Sequence, residues 1–181
     1  MDLSIIIINW NTKDLLAQCL GSIFQDLSTE EAEDTPLPRV GEGPGVRAEV
    51  FVVDNASTDG SGQMVRECFP WVQLIENRKN VGFACANNQA IQESTGVLYS
   101  YACYEVERWP LDSHREVDIV QGACMILRWE ALNQVGRLDE DYFIYSEEVD
   151  LCHRLRQHGC KVYWVPQAAV VHYGGQTIWS E

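Results

Sequence analysis

The sequence predicts an α/β fold built on a doubly wound, mostly parallel sheet. Three observations lead there. Short, almost wholly apolar runs occur at Leu3 to Ile8, Val50 to Val53 and Val72 to Ile75, as in strands buried on both faces. Each run is followed by a stretch with helical spacing. Polar residues end each run, at Asn9-Trp10-Asn11, Asp54-Asn55 and Asn77, which is where such sheets bind ligands.

Taken in order, the first strand gives way to a helix capped by Thr12 and running to about Phe24. Leu15, Leu16, Cys19, Leu20 and Ile23 supply its apolar stripe. Residues 27–47 crowd acids between Glu30 and Asp34 and then Pro36, Pro38, Gly41, Gly43, Pro44 and Gly45, the composition of a surface loop. After the second strand, Ser57 or Thr58 can cap a helix to about Phe69. A third helix, about Phe83 to Glu93, follows the third strand. Val97 to Tyr104 reads as a strand, and Glu105 to Glu116, with Pro110, as a loop.

Val117 to Leu127 should be largely extended, and Trp129 to Val135 a short helix ended by Gly136. Ser146 caps a helix carrying Leu151, Cys152 and Leu155 that stops at Gly159. Val162 to Val165 and Ala168 to Val171 are strand-like, with Pro166 between them.

The chain has 181 residues, enough for one domain, with 46% apolar residues to fill one core. Its 27 acids against 13 Lys and Arg give a formal charge of −14. That balance argues against nucleic acid or anionic lipid as a partner, since both require clustered positive charge. Seven cysteines sit singly and far apart, as reduced thiols of a cytosolic protein do. No basic leader opens the sequence, and no run approaches the roughly 20 apolar residues of a membrane span. The expectation is a cytoplasmic protein, soluble or peripheral at the inner face of the membrane.

Several residues invite a functional reading that the residues alone leave open. Asp54-Asn55 suits a ligand contact, and equally a turn leading into a cap. Glu147, Glu148 and Asp150 suit a general base, and equally the acidic first turn that any helix favours.

Four stretches together decide more. They are Ser4 to Thr12 with Cys19-Leu20 and Ser22; Val53 to Ser61; Asn80-Val-Gly-Phe-Ala84 with Asn87-Asn88; and a long block. The block comprises Gly122-Ala-Cys, Gly136-Arg-Leu-Asp-Glu140, Tyr145-Ser-Glu-Glu-Val-Asp-Leu151 and Val171-His-Tyr-Gly-Gly175. In order and spacing they resemble the family 2 glycosyltransferases of the GT-A type, and among these the rhamnosyltransferase-like branch.

That resemblance implies a single Rossmann-like GT-A domain over 1–181, with a nucleotide-binding half (1–96) and an acceptor and catalytic half (117–181). It implies inverting transfer of a sugar from a UDP- or dTDP-sugar to a glycan or lipid-linked acceptor, in cell-envelope polysaccharide synthesis. Asn9, Trp10 and Asn11 would shape the base and ribose pocket, and Asp54, beside Asn55, would accept from a pyrimidine N–H. Gly82 and Asn88 match positions near the diphosphate and sugar, with the glycine allowing close backbone approach. Glu148 matches the general base, with Glu147 as fallback and Asp150 beside them. His172 matches a metal or diphosphate contact, and Mg²⁺ or Mn²⁺ is the expected cofactor.

The sequence departs from the family in one place. The central strand ending in a D-x-D-like motif, whose carboxylate binds the cation, has no counterpart between Gly96 and Val117. The domain reads as internally shortened there and its ligand set as incomplete. Glu105-Val-Glu107 has the acid-x-acid spacing in a foreign context. Val97 to Tyr104 is expected to take the central strand's place beside the first strand. The alternative to an active transferase is a shortened, non-catalytic remnant that binds a nucleotide or nothing.

Overall fold

The computed structural model describes residues 3–28, 48–94, 97–101, 113–122, 124–166 and 170–173. In chain order the elements are β1 (Leu3–Asn9), α1 (Lys13–Ser28), β2 (Ala48–Asp54), α2 (Ser61–Cys68), β3 (Gln73–Glu76) and α3 (Phe83–Glu93). There follow β4 (Val97–Tyr101), β5 (Arg115–Glu116), β6 (Cys124–Leu127), α4 (Trp129–Val135), α5 (Glu147–Gln157) and β7 (Tyr163–Trp164). The main sheet has the order β3-β2-β1-β4-β6. All neighbours in it are parallel except β6, which runs antiparallel to β4. A two-stranded ribbon of β5 and β7 stands apart.

Strand side chains alternate between two helical layers, as a period of two requires. Val50 and Val52, with the half-buried Ile5 and Ile7, meet Leu16 and Leu20 of α1 and Met64 and Val65 of α2. On the other face Ile6, Phe51 and Val53 meet Ala86, Ala90 and Ile91 of α3 and Leu151 and Leu155 of α5. Phe51, Val52 and Val53 are essentially inaccessible, and each contributes about 1.5–3 kcal/mol by burial. The parallel strands thus point their carboxyl ends at one edge, and α3 and α5 cross the same face.

Val97–Tyr101 occupies the place foreseen for it. It pairs in parallel with β1, Leu3 opposite Val97 and Ile5 opposite Tyr99. Pairing covers what would otherwise be an open sheet edge. Residues 102–104, like Glu105 and Glu107, lie outside the described residues.

Some boundaries differ from expectation. Helix α1 runs one turn further, to Ser28, because Leu27 continues the apolar stripe and is buried with Leu3 and Ala48. The surface loop therefore does not begin at residue 27. Neither Ser57 nor Thr58 caps α2. That helix starts at Ser61 behind the left-handed Gly60, and Asp59 Oδ1 accepts from the Ser61 amide at 3.0 Å.

Glu105 to Glu116 is not loop throughout, since Arg115 and Glu116 pair with Trp164 and Tyr163. Among the described residues of the stretch 117–127, only Cys124–Leu127 is strand. Ser146 stands at the cap position of α5 but makes no side-chain cap bond, and Gly159 ends that helix with φ 78°. Cys19, Cys68, Cys85, Cys152 and Cys160 are free thiols, while Cys103 lies outside the described residues. No described helix is long and apolar enough to cross a membrane.

Candidate functional site

At the carboxyl edge of β1 and β2, Asn9 and Asp54 stand opposite each other. Asn9 is 1% exposed, and its Nδ2 donates to Asp54 Oδ1 and to Ser57 Oγ, both at 3.0 Å. Asn9 Oδ1 accepts from Thr12 Oγ1 at 2.7 Å. Asn11 adopts φ 54° and ties the same loop down, its amide donating to Ser57 Oγ and its Oδ1 accepting from the Thr58 amide. Trp10 between them is half-buried. Asp54 is buried, and a carboxylate with one partnered oxygen keeps acceptor capacity.

Asn55 is also buried and is fully engaged. Its Nδ2 donates to Asn80 Oδ1 (2.7 Å) and to the Gly82 carbonyl (3.3 Å). Its Oδ1 accepts from Asn77 Nδ2 (3.1 Å) and the Val81 amide (3.0 Å). The second strand's end thereby fixes the loop that leads into α3.

Gly82 closes that loop with φ 87° and ψ 169°, backbone that only glycine adopts readily. A Cβ there would lie 2.6 Å from the Phe143 carbonyl oxygen. The close approach that Gly82 permits is thus to a segment of its own chain. The Phe83 amide, first in α3, donates to the same Phe143 oxygen at 2.7 Å. Phe143 belongs to a run of exposed aromatic and aliphatic side chains, Tyr142 to Tyr145. The run ends in two left-handed residues, Tyr145 (φ 67°) and Ser146 (φ 75°). Its contact with α3 joins distant segments and has no local signal in the sequence.

Asn88, in the second turn of α3, grips the other half of the molecule. Its Nδ2 donates to the Leu138 carbonyl (2.7 Å) and to Glu140 Oε1 (3.0 Å), and its Oδ1 accepts from the Leu138 amide (3.2 Å). Leu138 in turn lines a small cavity of ≈ 20 Å³ shared by Glu147 and Glu148.

That pair opens α5. Glu147 is 4% exposed, and Glu148 half-buried. Each has its Oε2 buried without a hydrogen-bond partner among the described residues. Around them stand the apolar side chains of Ile6, Phe83, Ile91, Met125, Leu127 and Leu138. Gly122 lies against the pair: a Cβ on it would sit 3.5 Å from Glu148 Cβ and 3.6 Å from Glu147 Oε1. Burial pushes the Glu147 carboxyl above the usual glutamate range; its own backbone N–H opposes this, and the Glu148 charge reinforces it.

Asp150 is elsewhere. It faces a separate groove, with Ser146 and His153, and forms an ion pair with Arg154 at 2.6 Å. Arg154 also donates to the carbonyls of Val135 (2.7 Å) and Arg137 (2.9 Å), fastening α5 to the end of α4. Arg154 was not singled out in the sequence, where an i, i+4 acid–base pair looks like any helix surface.

His172 is exposed in the short stretch 170–173. Among the described residues no three His, Cys, Asp or Glu side chains gather as ligands. The Glu147–Glu148 oxygens face an apolar cavity, whereas Mg²⁺ and Mn²⁺ favour several oxygen ligands and retained water. The described residues therefore do not fit the cation that the resemblance implies.

Comparison with known proteins bears on the whole arrangement. The family model described as glycosyl transferase family 2 matches residues 4–102, and that described as glycosyl transferase family group 2 matches residues 61–181. An N-acetylglucosaminyl-diphospho-decaprenol L-rhamnosyltransferase of Mycobacterium tuberculosis is 44% identical over 61 residues, 34% of this chain and 20% of that protein. Rhamnosyltransferase WbbL of Escherichia coli is 37% identical over 57 residues, 32% of this chain and 22% of that one. The matches thus span about a fifth of the length of these relatives.

Among solved structures, S. aureus TarS superposes with a TM-score of 0.62 at 15% identity, over 86% of this chain and 33% of that one. TarS 1–349 in complex with UDP gives 0.58 at 16% identity, over 84% and 54%. At such identities the likeness concerns the fold, which is GT-A.

Proposed function

The chain belongs to glycosyltransferase family 2, and from that premise we propose that it moves a sugar, with inversion, from a nucleotide-diphosphate donor to an acceptor hydroxyl. The observation that carries this reading is the carboxylate pair at the start of α5. Ordinary acids in a first turn point to water, where the macrodipole alone explains them. Glu147 and Glu148 instead turn unpartnered oxygens into one cavity beside Gly122 and the start of α3. A general base needs an ionised, reachable carboxylate. Glu148, the less buried of the two, takes that role, removing the acceptor hydroxyl proton as the oxygen attacks the anomeric carbon and the nucleoside diphosphate departs. Asp54 accepts from the base of the donor, with Asn9, Trp10, Asn11 and Asn55 framing the pocket.

The UDP bound to TarS and the lipid-linked acceptor in the rhamnosyltransferase's name support a nucleotide-linked donor, a UDP- or dTDP-sugar in our reading, and a glycan or lipid-linked acceptor. The setting would then be the cytoplasmic face of a membrane. One observation favours the second reading, a domain that binds without turnover. The Phe83 amide, which opens α3, is already bonded to Phe143 and unavailable to a diphosphate in this conformation.

The two readings separate in thermal unfolding with UDP- and dTDP-sugars, each with and without Mn²⁺, followed by turnover. The enzyme reading expects a donor-dependent rise in midpoint and measurable transfer. Glu148→Gln should lower that transfer by about 10²–10⁴-fold while leaving donor binding intact. A folded chain that no donor stabilises would sink the enzyme reading and leave a shortened remnant that binds nothing, and stabilisation without transfer would leave one that binds without turnover.

A further inference from the structure

We propose that Glu147 is a positioning residue that carries a proton at neutral pH and donates it, across the cavity the two side chains share, to the buried Oε2 of Glu148. The role is defined relative to Glu148 as base, so it rests on the reading above. The protonation itself does not.

The geometry leaves Glu147 few other states. It is 4% exposed, its Oε2 has no donor among the described residues, and the facing side chains are aliphatic or aromatic apart from Asn87, whose Nδ2 is bonded to the Phe83 carbonyl. A carboxylate oxygen so enclosed is strongly disfavoured, and a carboxylic acid needs an acceptor for its O–H. The acceptor at hand is Glu148 Oε2, which lines the same cavity and equally lacks a donor. One proton satisfies both orphan atoms. The cavity they line, ≈ 20 Å³, is about the room one water fills, so it admits a bridging water.

The groups packed around the pair are consistent with a single shared proton. Strand β1, helix α3, strand β6 and the loops at Gly122 and Leu138 present uncharged groups to the cavity. Cys152, one turn along α5, is pushed upward by burial and remains a thiol. Burial likewise raises the Glu147 carboxyl above its ordinary value. With its Oε2 fixed, Glu148 keeps Oε1 for the acceptor hydroxyl, and one oxygen rather than two is presented for proton transfer.

The test is the carboxylic-acid C=O band of the full chain by infrared spectroscopy at pH 7, with its shift in D₂O. The band is expected in the wild type, absent in Glu147→Gln and retained in Glu148→Gln. Any other pattern overturns the proposal. Should Glu147→Gln not fold, the ¹³C titration of wild-type glutamate Cδ carbons decides. One must stay in the acid form at pH 7, and if none does the proposal falls.

In an active chain, Glu147→Gln, whose amide N–H donates as the acid O–H does, should keep kcat within about threefold. Glu147→Ala should lower kcat about tenfold or more with KM little changed. An alanine variant with undiminished kcat overturns the positioning role. An inactive chain that shows the acid band sinks only the transfer reading.

Discussion

The half from β1 to α3 and the half that carries α5 treat their polar groups in opposite ways. In the first, Asn9 and Asn55 are buried and bonded through both ends of their amides, and Asn88 is bonded through both ends of its own. In the second, two adjacent glutamates keep oxygens buried and unpartnered. An unmade bond in a low-dielectric site is costly, and persists where surrounding structure enforces it. The buried asparagines of the first half therefore hold loops in place, whereas the buried glutamate oxygens of the second keep hydrogen-bonding capacity unspent.

The two halves meet at glycines, and the sharpest way to break the comparison is to fill them. Gly82→Ala would place a Cβ 2.6 Å from a backbone oxygen, at φ 87°. Strain and displacement together should cost about 3–5 kcal/mol. Gly122→Ala, whose nearest neighbours would be 3.5–3.7 Å away, makes ordinary contacts and should cost less than about 1 kcal/mol. Urea unfolding of both variants checks the difference. Hydrogen exchange at the Phe83 amide should accelerate in the first and not the second. Equal costs would mean that Phe143 yields readily and does not lock α3 to the Tyr142 to Tyr145 run.

A smaller effect concerns the bonded network. Asn55→Ala would leave the Val81 amide without its partner, while Asn80 Oδ1 keeps the Gly82 amide. The loss expected is about 1–3 kcal/mol by denaturant unfolding, the cost of orphaning one donor and loosening the loop around it. Substituting Asp150 by Asn, which weakens a partly exposed pair with Arg154, should cost about 1 kcal/mol or less. An Asn55→Ala variant as stable as wild type would show the loop before α3 held by other means.

How much of this was legible in the sequence follows from how local each signal is. Strands β1 to β3 and helix α3 were visible because continuous apolar runs and 3.6 spacing need no partner to be recognised. The last turn of α1 was hidden because Gln25 and Asp26 precede it and acids follow, although Leu27 continues the stripe. Strands β5 and β7, two residues each, exist only through each other. The candidate site was legible as a set of residues and not as a set of roles. An asparagine at a strand end can bind a ligand or a neighbouring loop, and its letter is the same in both. For Asn9, Asn11 and Asn55 the loop bonds are the ones seen. That Gly82 abuts Phe143 depends on a crossing between distant segments, which no spacing encodes.

The finest discrimination between the halves is the sign of a pH effect. In the first half, burial raises Asp59, but the Ser61 hydroxyl and the amides of Lys13 and Ser61 outweigh it and set its carboxyl below the ordinary 3.8. A group lowered on folding stabilises the chain above that value and loses the contribution as pH falls through the folded one. In the second half, burial sets Glu147 above the ordinary 4.5. Its contribution is full below that value and is lost as pH rises through the folded one.

Asp59→Asn should therefore flatten the acid side of the melting profile, below pH 3.8, and Glu147→Gln the limb that begins near 4.5 and descends as pH rises. Melting temperatures of the three proteins across that range provide the check. If Glu147→Gln melted in parallel with wild type at every pH, the buried carboxyl would be titrating as it does in the unfolded chain, and the contrast between the halves would reduce to hydrogen bonding alone.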